Sequence, residues 1–141
     1  MSLTQLFLII HLLAIAMALG IGVANIVGFR VAKGLGGDMA KGIAAQREAM
    51  IPYGDTLFLT VIASGLVLFW LVGAGNLGPW FSAKMVAVAV WIITYVAMRL
   101  RIRKFLASRD MTLLPLIRTF AHVLLAAVVS TVICAVMAFN A

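Results

Sequence analysis

Four apolar stretches, at about 3–29, 56–75, 80–98 and 113–139, decide the solvent in which this chain folds. A helix needs about 20 predominantly apolar residues to cross a hydrocarbon core of about 30 Å, and each stretch is close to that length or beyond it. A water-soluble globule of 141 residues, 65% of them hydrophobic and 11% charged, has too little interior to hide so much apolar surface. The sequence therefore predicts an all-α, polytopic membrane protein, a four-transmembrane-helix bundle forming a single domain over residues 1–141. The first stretch has no basic segment before it and stays apolar past any small-residue cleavage site, so it reads as a retained span rather than a signal peptide.

The net charge of +7 would point to nucleic acid in a soluble protein. Here its position along the chain gives it another meaning. Arg30, Lys33, Lys41 and Arg47 lie between the first two spans, and Arg99, Arg101, Arg103, Lys104 and Arg109 between the last two; the N-terminus, the 76–79 turn and the C-terminus carry no Lys or Arg. By the positive-inside rule both basic loops face the cytoplasm, and both termini and the short turn face the other side of a bacterial-type inner (plasma) membrane. The charge is then topological, attracts anionic lipid headgroups, and gives no reason to expect a nucleic-acid partner. The single Cys134 has no partner in the chain, which excludes a disulfide framework and a Cys-based zinc site.

Between the first two spans, the glycine-rich half of 34–55 is expected to be loop. Asp38 is placed to cap a short interfacial helix that runs to about Met50 and stops before Pro52. The Gly34–Gly37 cluster is no phosphate loop, because a following Lys-Ser/Thr pair and a preceding strand are missing. NLGP at 76–79 is a tight turn with Pro79 suited to the first turn of the next helix, so the second and third spans are antiparallel neighbours. Trp70 and Trp80 lie near that end, where aromatic belts form. The segment 99–112 reads as an extension of the third helix followed by a turn near Asp110.

Four side chains are expensive to keep in hydrocarbon: His11, Lys84, Arg118 and His122. His11, Ala14, Ala18, Gly22 and Asn25 recur at helical spacings of three and four, forming a polar and small stripe expected to face the interior. By itself the stripe is first of all a plain helix contact, small residues letting helices approach and His11 bonding to a neighbouring helix. Lys84, Val88, Trp91 and Tyr95 share one face of the third span, as a ligand wall or with Lys84 simply reaching up to the headgroups. Arg118 and His122 are four apart on the fourth span, hence on one face. At about 1.5 Å per residue, His11 lies roughly 10–13 Å from one surface and His122 about 13 Å from the other, so a core of about 30 Å allows them to approach in depth.

Two inward histidines on different helices can hold a b-type haem, since neutral imidazole nitrogen is a good axial ligand for iron. Arg118 or Lys84 would neutralise propionates, and Ala14, Ala18 and Gly22 would make room for the macrocycle. Unrelated packing histidines explain the same residues. Copper is a weaker reading, because the eight Met residues form no cluster with His. Nucleophilic catalysis is not expected: Ser64, Ser82 and Ser130 lack an obvious His and carboxylate set, and Asp38, Glu48, Asp55 and Asp110 sit in or beside the basic loops.

The first-span His in LFLIIHLLAIAMALG (6–20), the GLVLFW run (65–70), WFSAK (80–84), and Arg47 followed by Ile51-Pro52 together resemble the HemJ-type protoporphyrinogen oxidase family. More loosely, they resemble the copper-resistance-D-like four-helix membrane proteins grouped with it. The resemblance covers most of the chain and implies that His11 matches a histidine associated with haem b and Lys84 a functional lysine. Ser82 stands where many members carry His. The implied activity is haem-dependent electron transfer or oxidoreduction, with a tetrapyrrole oxidised and quinone as acceptor, His11 as metal ligand and Lys84 as catalytic contact; His122, to which the resemblance assigns no position, is the candidate second metal ligand from the residues alone. Two rival readings stay open. The Gly20, Ala24, Gly28 series is spaced like a helix-contact motif and suits a homo-oligomer or a cofactor-free accessory subunit of a larger energy-transducing complex. A small transporter would use the same inward polar groups as a pathway.

Overall fold

The computed structural model describes residues 1–72 and 79–140, with side chains through residue 137. Every regular element among them is helical: α1 (Leu3–Gly34), α2 (Gly37–Ala49), α3 (Ile51–Val72), α4 (Pro79–Ser108), a 3₁₀ turn (Met111–Leu113) and α5 (Leu114–Asn140). Four helical segments are long and apolar enough to cross a membrane, and at most 11% of their most apolar windows is buried within the protein. Their apolar side chains thus face outward, the arrangement lipid rewards and water forbids. The chain is a multi-pass membrane protein.

The described chain forms two compact units, Met1–Gly75 and Asn76–Ala141. In the first, α1 packs along α3, and α2 docks on α1 and touches the start of α3. Helix α1 begins where Ser2 and Gln5 satisfy each other: the Ser2 hydroxyl accepts from the Gln5 amide at 3.2 Å, and the Gln5 side chain accepts from the Ser2 amide at 2.9 Å. The expected glycine-rich loop after the first span is almost absent. Helix α1 continues to Gly34, α2 starts at Gly37, and only Leu35 and Gly36 separate them. A glycine inside a helix costs only about 1 kcal/mol relative to alanine, too little to unwind the end of α1. The reversal falls on Gly37, whose φ of 62° a side chain would resist.

Asp38 does not cap α2, because the helix starts one residue before it and Gly36 occupies the cap position without a side-chain bond. Instead its carboxylate lies in the first turn, favoured by the helix dipole, and accepts from Lys41 at 3.0 Å in full exposure. Met50 ends α2 as expected, and Pro52 follows in the first turn of α3, where its missing N–H leaves nothing unpaired.

In the second unit α4 and α5 form a helical pair joined by the 3₁₀ turn. Pro79 opens α4, while residues 76–78 of the expected NLGP turn lie outside the described residues. The extension of the third span past residue 98 continues as one helix to Ser108. Arg109 then takes a left-handed φ of 54°, its amide donating to the Phe105 carbonyl at 2.7 Å. Asp110 caps the 3₁₀ turn, accepting from the Thr112 hydroxyl at 2.7 Å and from its amide at 2.9 Å. Trp91 and Thr94 on α4, Leu113 on the turn, and Ile117 and Ala127 on α5 are the buried residues of this pair.

Candidate functional site

The stripe predicted on α1 is turned inward: His11, Ala18, Gly22 and Asn25 are half-buried and Ala14 is 4% exposed. The α3 residues that meet His11 explain its orientation. Nδ1 of His11 lies 2.9 Å from the hydroxyl of Ser64, itself 3% exposed. That hydroxyl has one proton, and it points to the Thr60 carbonyl one turn back, 2.6 Å away. Ser64 must therefore accept from His11, which puts the imidazole proton on Nδ1 and leaves the lone pair on Nε2. Gly65 makes the approach possible, because a methyl group there would come within 3.1 Å of Cε1 of His11.

The sequence shows no obvious histidine partner for Ser64, and the fold supplies one in His11. The geometry still gives no nucleophile: the serine proton is held by a carbonyl and the imidazole donates toward the serine, the reverse of a catalytic pair. Three hydroxyls in α3 make the same bond one turn back, Thr56 to the Pro52 carbonyl at 3.0 Å, Thr60 to Thr56 at 2.8 Å and Ser64 to Thr60. Their spacing of four was visible in the sequence. What sequence could not give was the register that sets the top of this ladder opposite His11.

In the second unit, none of Lys84, Val88, Trp91 and Tyr95 is exposed, as their shared face predicts. His122 and Arg118 are on the outward side of α5 and both are exposed. Nδ1 of His122 lies 2.8 Å from the Arg118 carbonyl of its own helix. A carbonyl can only accept, so Nδ1 of His122, like that of His11, is the donor. Lys84 lies roughly 36 Å along α4 from Ser108, and His122 about 12 Å along α5 from Leu114, at 1.5 Å per residue. The α4–α5 pair thus sets Lys84 and His122 near opposite ends rather than together.

The two histidines differ in setting: His11 is half-buried between α1 and α3, whereas His122, expected to face inward, is exposed on the outward side of α5. In each, the hydrogen bond at Nδ1 fixes the orientation of the ring. Among the described residues no group of three or more His, Cys, Asp or Glu side chains could hold a bare metal ion. A haem makes no such demand, since the macrocycle supplies the equatorial nitrogens. Comparison of the chain with family models, with curated proteins and with solved structures finds no match, so the functional reading is carried by these residues alone.

Proposed function

We propose that this is a haem-b-binding membrane protein with an electron-transfer or oxidoreductase role, the oxidation of a reduced tetrapyrrole by quinone being the specific reaction suggested by the resemblance. The observation that carries the reading is His11: a membrane-embedded imidazole held in one tautomer by Ser64 and seated over the bare backbone of Gly65. Holding a histidine so firmly in lipid has a clear use if Nε2 is an axial ligand. His122 and Arg118, which the sequence offers as a second ligand and a counter-charge for propionates, are exposed on the outward side of α5, so the reading rests on His11. Lys84, half-buried on α4, would meet carboxylates of a tetrapyrrole as a point charge. A bound haem would supply one-electron chemistry. The protons and electrons leaving the tetrapyrrole would equal those taken up by quinone. In this reading the basic loops face the cytoplasm and both termini face the other side.

The test is the absorption spectrum of protein purified in mild detergent after expression with added haem precursor. A Soret band that is lost in His11→Ala is the expected result, and its absence from wild type overturns the proposal. A second reading, an accessory subunit or homo-oligomer, is favoured by Gly20 and Ala24, which are exposed, with no atom within 4 Å of where a Gly20 side chain would start. A stable complex through that face should dissociate on Gly20→Leu. A monodisperse wild-type monomer with nothing co-purifying rules it out.

A further inference from the structure

The packing face of α2 contains a charge where an apolar residue would be expected. Ala40, Ile43 and Arg47 are the only residues of α2 that are not exposed, and their spacing of three and four makes them one stripe. Ile43 and Arg47 lie against Gly28 of α1, where an added Cβ would come within 3.4 Å of Arg47 Cδ and 3.5 Å of Ile43 Cγ2. The guanidinium sits over the Phe29 ring with its carbon 3.2 Å from the centroid. Its Nε is closed off from solvent and has no hydrogen-bond partner among the described residues. Among the described residues no carboxylate pairs with Arg47, and the ion pair of α2 joins Asp38 and Lys41.

A guanidinium fixed on one face by an aromatic ring and by a tight helix contact, yet given no anion among the described residues, is organised for an anion from outside. Its level in the fold says which. Phe29 is the last residue of the first apolar run, followed by the exposed Arg30 and Lys33. The guanidinium therefore lies where hydrocarbon gives way to headgroups, and the anion present there in quantity is lipid phosphate. We propose that Arg47, held by Phe29 and Gly28 and supported by the charges of Arg30 and Lys33, is a binding site for the phosphate of an anionic membrane lipid.

The full chain in mild detergent should retain phosphatidylglycerol in preference to phosphatidylcholine, counted as bound lipid by native mass spectrometry. Arg47→Ala is expected to lower that retention at least tenfold. Arg30→Ala and Lys33→Ala, which remove the same charge at exposed positions, should lower it only a few-fold. If Arg47→Ala does not fold, Arg47→Lys keeps a cation without the planar fork and Phe29→Leu removes the stacking ring; each should lower retention several-fold with helicity unchanged. Equal retention by wild type and by these variants overturns the proposal. So does equal binding of the two lipids, or displacement of the bound lipid by millimolar inorganic phosphate. The outcome does not depend on haem, because the measurement reads lipid mass only.

Discussion

At the scale of single residues, the contact between His11, Ser64 and Gly65 makes the sharpest demands. Gly65→Ala places a methyl group 3.1 Å from the imidazole, so the ring or the helix must give way, at about 1–3 kcal/mol as for other overpacked sites. Ser64→Ala removes the acceptor for Nδ1 and should be milder, about 0.6 kcal/mol as for interhelical hydrogen bonds in membranes. Thermal unfolding in one detergent should rank the two in that order, and the reverse order would mean that the hydrogen bond rather than the fit holds α1 to α3. The sequence made His11 legible, because an imidazole in hydrocarbon is conspicuous. It did not make Ser64 or Gly65 legible: a serine bonded to its own helix, and a glycine whose role is to be absent, look like ordinary members of a membrane span.

At the scale of elements, spacing and charge located every long helix, and the errors fell at the ends. Helix α1 runs past Arg30 to Gly34 because Lys33 and Gly34 are weak stop signals, and the cap expected of Asp38 is occupied by Gly36. The docking of α2 rests on Gly28, so Gly28→Leu should push Arg47 and Ile43 away and free the helix. Faster amide hydrogen exchange over residues 37–49, with α1 and α3 unchanged, is the expected readout. The α4–α5 turn has a pH signature. The Thr112 hydroxyl first, and then its amide, hold the Asp110 carboxyl below the usual carboxylate range. A depressed folded pKa means that the stabilisation is present above the ordinary carboxylate value and is lost as pH falls through the lower folded one. Asp110→Ala should therefore melt below wild type at neutral pH, and the difference should vanish in acid below the folded value. A difference that persists there would mean that the carboxylate charge is not what matters.

At the scale of the whole molecule, composition alone required lipid as the solvent, and the outward-facing apolar surfaces of all four spanning helices agree with it. The proposed orientation is open to direct test. A reporter enzyme active only outside the cytoplasm should work when fused after Ala141 and fail when fused at Ser108; the opposite pattern would reverse the orientation.

The ladder of hydroxyls on α3 carries one more consequence, for ion leakage. A row of Thr56, Thr60 and Ser64 beneath a histidine resembles a conduit for protons through the bilayer. Yet each hydroxyl aims its proton at a backbone carbonyl, and Cβ atoms four residues apart on a helix are separated by about 5–6 Å, too far for direct hopping. This column of alcohols is wired to its own backbone rather than to itself, so liposomes carrying the protein should hold a pH gradient as long as empty ones do.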